Sequence, residues 1–380
     1  MRGTAIVGAG FAAGMHVEAL KRLGYHITGV LGCDDAESES FRAAHGLPKA
    51  YKSYQEVLDD TDVIAVHIVT PNRLHFDMCK RALEAGKHVI CEKPLAMTSA
   101  ESKELVEIAE KSDLVAAVFY QTRFYPLNLE AKDIRERGDL GNVYSVNGSF
   151  VQDWLFYDTD YNWRVLSEEG GKLRAIADIG THWIDLILNI TGLEVQHVFA
   201  DLRTVHNARN RPTGEVETFT TESDDDIERE SIDIETEDQG VVLFKFKGGA
   251  QGVLWVSQVT AGVKCAERYE IAGSNCSLSW NSKNPNNLHI GHRDRANEVL
   301  IRDPSLMSDA ASAHTTYPGD HNEGFPDAFK HCVKEVYDAI EAGSDDDVVR
   351  QFATFADAHH EIVLCEKILQ SAATKRWVVI

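Results

Sequence analysis

Near the amino terminus a short apolar run, Thr4 to Gly8, passes directly into Gly8-Ala9-Gly10-Phe11-Ala12-Ala13-Gly14 and then into a helical segment reaching Leu23. Gly8-x-Gly10-x-x-Ala13 puts a glycine where the chain must turn sharply and a second where a ligand must approach the backbone. A small residue follows where helix and sheet pack closely. Free N–H groups at a helix start attract anions, so the turn reads as a seat for the pyrophosphate of a dinucleotide, with Phe11 and Ala12 inside it.

Strand and helix patterns then alternate: a strand Ile27 to Leu31, an apolar run Val63 to Val69, a helix from Leu74 to Ala85, a strand His88 to Cys91, a helix from Ser99 to Lys111, and the run Leu114 to Tyr120. Thr98-Ser99-Ala100-Glu101 has the spacing of a capping box. Apolar strands separated by amphipathic helices imply a parallel sheet covered on both faces. The second strand runs into Val30-Leu31-Gly32-Cys33-Asp34-Asp35-Ala36-Glu37. The place usually taken by the acidic residue that binds the ribose 2′-hydroxyl holds Gly32, and Asp34 two residues on is the candidate. No Arg or Lys is at hand for a 2′-phosphate, which favours NAD, with NADP left open.

Composition narrows the partners. In 380 residues, 60 acidic against 38 basic side chains leave a formal charge of −22. Such a chain is repelled by nucleic acid and by anionic membranes. Leu114 to Tyr120, seven apolar residues, is far below the roughly 18 needed to cross a bilayer. No signal-peptide pattern opens the chain, and the seven cysteines lack a CxxC pair or zinc spacing. The expectation is a cytoplasmic protein with reduced thiols and no metal, divided into about two domains at roughly 150 residues each.

Thr70-Pro71-Asn72-x-x-His75 is followed by Gly86-Lys87-His88-Val89-x-x-Glu92-Lys93-Pro94-Leu95, then Arg123-Phe124, Gly138-x-Leu140-Gly141-x-Val143 and Asp178-x-Gly180-x-His182-Trp183-x-Asp185. This series resembles the Gfo/Idh/MocA oxidoreductases, the glucose-fructose oxidoreductase and inositol dehydrogenase family. The resemblance implies an α/β chain: a Rossmann domain, 1–123, and a substrate-binding and oligomerisation domain, 124–380, built on a large, mostly antiparallel sheet. It also implies hydride transfer between a nicotinamide and a hydroxyl carbon of a sugar, glycoside or polyol. By position, Lys93 contacts the reacting hydroxyl, His182 is the acid/base and Asp178 lies beside the substrate. Thr70, Pro71, Asn72, His75, Glu92, Gln121, Trp163 and Arg164 go to the cofactor, and Arg123 to the substrate. The Lys93–Pro94 bond is often cis in such proteins. The chemistry is self-consistent: oxidising an alcohol releases a proton that an imidazole can accept near neutral pH, while an ammonium stabilises the developing alkoxide. Asp178 and His182, four apart, share a face if the segment is α-helical.

Gln152 to Phe156 and Tyr161 to Arg164 form an aromatic-rich stretch. Sugar C–H faces pack on such rings and sugar hydroxyls bond Arg and Asp, so Trp154, Trp163 and Arg164 are substrate candidates; the competing reading puts the tryptophans in the sheet core. His321, in the turn Tyr317 to Phe325, is a candidate for closing the pocket. Glu215 to Asp238 holds twelve acidic residues and one Arg and reads as a solvated loop or edge insertion. Val241 to Phe246, Gly252 to Val259 and Arg268 to Ile271 read as successive strands. A sheet with one face free of helices pairs with a copy of itself, giving a homodimer or homotetramer. Two other activities fit the same motifs: an NAD-dependent glycosidase using transient C3 oxidation, and a non-enzymatic NAD/sugar sensor.

Overall fold

In a computed structural model, residues 3–213, 228–343 and 350–380 are described. The chain forms two compact units, Met1–Gln121 with Phe329–Ile362, and Thr122–Ala328 with Val363–Ile380. A single cut near residue 123 therefore does not describe the division, because a later segment returns to the first unit.

The first unit runs β1 (Gly3–Val7), α1 (Phe11–Leu23), β2 (Ile27–Leu31), α2 (Asp35–His45), α3 (Tyr54–Asp59), β3 (Val63–Ile68), α4 (His75–Glu84), β4 (His88–Cys91), α5 (Ser99–Ala109) and β5 (Ala116–Val118). The strands pair in parallel in the order β5-β4-β3-β1-β2, and a short antiparallel strand, Ala353–Thr354, extends the β5 edge. Their β-branched and aliphatic residues are buried because helices cover the sheet. Thr98 and Glu101 form the reciprocal capping box that starts α5. Helices α2 and α3 were not anticipated, and the apolar run 114–120 is extended only over Ala116–Val118. Because β2 and β3 flank β1 on opposite sides, the strand order reverses there, and a ligand crevice opens beyond the carboxyl ends of β1 and β3.

The second unit contributes α6 (Pro126–Glu136), β6 (Val143–Val151), α7 (Ser167–Gly170), α8 (Thr181–Thr191), β7 (Val195–Arg203), β8 (Ala208–Pro212), β9 (Arg229–Asp233), β10 (Gln239–Phe246), β11 (Gln251–Ser257), β12 (Ala266–Gly273), β13 (Ser277–Asn281), β14 (Asn287–Gly291) and β15 (Glu298–Ile301). Its large sheet has the order β15-β14-β13-β12-β6-β11-β10-β7, closed by Val378–Val379. Only β6 and β11 run parallel among the described pairs. Along β10, Val242, Phe244 and Phe246 point into the core while Val241, Leu243 and Lys245 point out. Leu127, Trp183, Ile187 and Ile190, carried by α6 and α8, fill the inner face with Val146, Val256 and Tyr269.

Candidate functional site

In the first unit, Gly8 has φ 111°, and a Cβ there would lie 2.6 Å from the Val69 carbonyl oxygen, so the crossing of β1 and β3 requires a glycine. A Cβ on Gly10 would meet nothing within 4 Å. The start of α1 carries no side-chain cap and no acidic residue in its first turn. Open space, N–H groups and the positive end of the helix together fit a pyrophosphate. Phe11 is exposed, Ala12 half-buried, and Ala13 packed in the core.

His75 is fully buried, with Nδ1 2.7 Å from the Pro94 oxygen and Nε2 2.8 Å from the Thr70 oxygen. It clips the Thr70-Pro71-Asn72 loop to the Glu92-Lys93-Pro94 turn, its ring buried behind both. Thr70, Pro71 and Gln121 are half-buried and Asn72 is buried. The Lys93–Pro94 bond is cis, and the Lys93 N–H lies 3.3 Å from Glu92 Oε2. Asp34 accepts the Glu37 N–H at 2.8 Å as the N-cap of α2, which gives it a structural task. The carboxylate over Gly32 belongs to Glu37, whose Oε2 lies 2.6 Å from where a Gly32 Cβ would be. That carboxylate enters from the first turn of α2, and its Oε2 also accepts the Cys33 N–H at 2.5 Å.

In the second unit, Asp178 and His182 do not belong to one regular α-helix. Ile176–Gly180 is a π-helical turn that hands over to α8, a device that recurs at functional sites. Asp178 Oδ2 accepts from Gln258 Nε2 at 2.8 Å, and Oδ1 lies 3.4 Å from Arg164 Nε. The Arg164 guanidinium stacks 4.3 Å from the Trp163 ring. Three sequence candidates thus come together, joined by Gln258, a lone residue just past β11 for which the sequence held no signal. His182 is buried on α8, its ring 6.0 Å from that of Phe150. Half-buried Trp163, Arg164 and Asp178 offer one ring, one cation and one carboxylate, groups suited to hydroxyls, with the buried Gln258 behind them.

Other candidates land elsewhere. Arg123 is buried and donates from Nε to Asp185 at 2.7 Å, an internal ion pair and not an open substrate contact. Trp154 is half-buried against a small cluster of Leu155, Val165 and Ile234, outside the core of the large sheet. His321 is exposed, in a turn whose carbonyls at Tyr317, Pro318 and His321 are bound by the buried Arg302. Within the acidic stretch, 215–227 lie outside the described residues. Glu237 and Asp238 are buried, which corrects the picture of a wholly solvated insertion. Among the described residues no group of three or more His, Cys, Asp or Glu could hold a metal, and no helix is long and apolar enough to cross a membrane.

Known proteins share this organisation. Residues 2–120 match the model of an oxidoreductase family with an NAD-binding Rossmann fold, and residues 128–279 match the GFO/IDH/MocA C-terminal domain. A levoglucosan dehydrogenase of Pseudarthrobacter phenanthrenivorans is 28% identical over 344 residues, 88% of this chain and 84% of that one. The uncharacterised oxidoreductase YfiI of Bacillus subtilis is 27% identical, over 79% of this chain and 73% of that protein. The crystal structure of an oxidoreductase domain protein from Kribbella flavida superposes with a TM-score of 0.88 at 27% identity, covering 100% of this chain and 99% of that one.

Proposed function

Because the chain belongs to the Gfo/Idh/MocA oxidoreductases, with their NAD-binding Rossmann domain and C-terminal domain, we propose that it transfers a hydride between nicotinamide and a secondary hydroxyl of a sugar, glycoside or cyclic polyol. The observation that carries this reading is the cluster of Trp163, Arg164 and Asp178, a ring face and hydroxyl-binding groups on the segment leading to His182, with Asp178 held from behind by the buried Gln258. The levoglucosan dehydrogenase among its relatives supports the same class. NAD, when bound, supplies the hydride acceptor. Lys93 stabilises the developing alkoxide and His182 takes the hydroxyl proton. Asp178, held by Arg164 and Gln258, orients the substrate. Glu37, in place of Asp34, faces the ribose and disfavours a 2′-phosphate.

The free cysteines support a reducing compartment, the cytoplasm. The outward residues of β10 and β11 support a homodimer or homotetramer. The test is a screen of free sugars, glycosides, anhydrosugars and inositols with NAD and NADP in parallel. Net NADH with one class is the expected result, and Lys93→Ala should cut turnover by about 10²–10⁴-fold while NADH still binds. Glycoside cleavage without net NADH would replace this reading with the glycosidase, and tight NAD binding without any turnover would replace it with the sensor.

A further inference from the structure

The excursion between β7 and β10 that carries β8 and β9 ends in three buried residues, Thr236, Glu237 and Asp238. One oxygen atom there serves two segments of the second unit. Thr236 Oγ1 accepts from Arg174 Nε at 3.2 Å and donates to the Val165 carbonyl at 3.2 Å. Arg174 and Val165 are themselves buried, where bulk water does not replace a lost partner. Val165 closes the short helical turn that begins at Trp163 and directly follows Arg164. Arg174 lies one turn ahead of Asp178, whose N–H donates to the Arg174 carbonyl at 2.7 Å. Arg164 Nε and Asp178 Oδ1 face each other at 3.4 Å. The contacts therefore close a ring that runs from Arg164 through Val165, Thr236, Arg174 and Asp178 back to Arg164.

A hydroxyl suits this joint because it accepts and donates through one small atom, whereas a guanidinium only donates and a carboxylate only accepts. Each side chain of the pair is also oriented on its own backbone. Asn162 Oδ1 accepts from Arg164 N and from Arg164 Nη1, both at 3.2 Å, and Gln258 holds Asp178. Glu237 and Asp238 fix the Arg174 end of the second segment. Arg209, on β8, donates to the carbonyls of Leu155, Tyr157 and Asp160, and so fixes the far end of the first. Thr236 ties the two segments next to the pair itself, so its link sets how far apart the two backbones stand where Arg164 and Asp178 meet.

We propose that Thr236 is a positioning residue for the substrate: through Val165 and Arg174 it fixes the separation of Arg164 and Asp178, and with it which neighbouring hydroxyls the pair holds together. The idea rests on the oxidoreductase reading above. The guanidinium donates to one hydroxyl oxygen and the carboxylate accepts the hydrogen of the next. A pair held at one separation therefore selects adjacent hydroxyls of one relative orientation. Thr236 is buried and acts only through its two partners. Because the pair grips the substrate before and during the reaction, loosening it raises KM more than it lowers kcat.

Three variants test it. Thr236→Val keeps the shape and removes the hydroxyl, while Thr236→Ser keeps the hydroxyl. Thr204→Val is the control: it removes a hydroxyl that donates to the Thr236 carbonyl oxygen at 3.2 Å, which loosens the same excursion with the ring intact. With the sugar, glycoside or polyol found by the screen, Thr236→Val should raise KM by about tenfold and leave kcat within about twofold of wild type. Its preference over the epimer inverted at one hydroxyl should shrink as well. Crystal structures of the variants without substrate should show Arg164 Nε and Asp178 Oδ1 beyond roughly 4 Å in Thr236→Val alone. Thr236→Ser and Thr204→Val should match wild type throughout. A pair that stays closed in Thr236→Val, an open pair with unchanged KM and epimer preference, or a Thr204→Val as impaired as Thr236→Val overturns the proposal. A pair that opens in Thr236→Val alone, in a protein that oxidises no sugar, glycoside or polyol, would sink the substrate reading and bear out the ring.

Discussion

Glu267 shows how far one side chain can be pushed by its surroundings. It sits on β12 opposite Phe150 with 1% of its surface exposed, and its carboxyl is raised from the ordinary 4.5 to about 8 by burial first and by the charge of Asp185 second. At neutral pH it is mostly a neutral acid. An acid with a folded value above its unfolded one binds a proton on folding, so its stabilising contribution is full below about 4.5 and is lost as pH rises through about 8. Glu267→Gln keeps the shape and removes the titration. The variant should therefore match wild type near pH 5 and exceed it near pH 8 by on the order of 4 kcal/mol. Urea unfolding at both pH values reads this, and parallel stability curves for the two proteins would refute it.

At the scale of elements, the π-helical turn Ile176–Gly180 depends on a connection far away in sequence. Glu237 accepts the backbone N–H groups of Arg174 and Ile176 at 3.0 and 2.8 Å. Asp238 pairs with Arg174 and accepts from Arg209 Nη2 at 2.7 Å, and all three side chains are without solvent exposure. Burial alone would raise the Asp238 carboxyl, but Arg174 and Arg209 with the His206 N–H hold it below the usual range. Both residues entering β10 thus brace the entry to the turn that presents Asp178. Asp238→Asn leaves two buried guanidinium groups poorly compensated and should cost about 3–5 kcal/mol. Because the turn shifts with it, kcat/KM on the identified substrate should fall as well. Chemical denaturation and steady-state kinetics together check this, and a destabilised protein with unchanged kinetics would confine the brace to stability. Nothing local in Glu237-Asp238 distinguishes it from the acidic run before it. What sets the pair apart is a partner more than 60 residues away.

Across the whole molecule, the same contrast separates what the residues announced from what they hid. Gly8 revealed the first crevice because backbone geometry there permits little else, and the β10 alternation revealed a half-covered sheet. The return of Phe329–Ile362 to the first unit, and the seating of Tyr337 against His67, are long-range pairings that local periodicity does not record. The β10 alternation has a further consequence. Its outward residues Val241 and Leu243 are 40% and 37% exposed, and Trp255, also 37% exposed, lies directly opposite Val241 on β11. Val253 and Phe199 flank Leu243 on either side in the same row. Large apolar side chains in adjoining rows on a sheet face form the kind of patch that protein interfaces cover, and a stable interface buries about 800 Å² on each partner. A two-fold pairing of this face buries the same rows from both copies, so one charge introduced at its centre is felt twice. Leu243→Glu with Trp255→Glu should therefore shift the mass measured by light scattering from dimer or tetramer toward monomer. Circular dichroism should stay unchanged, since both side chains leave the core untouched. A wild-type protein that is monomeric at micromolar concentration, or a double variant that keeps the wild-type mass, would assign this face to something other than self-association.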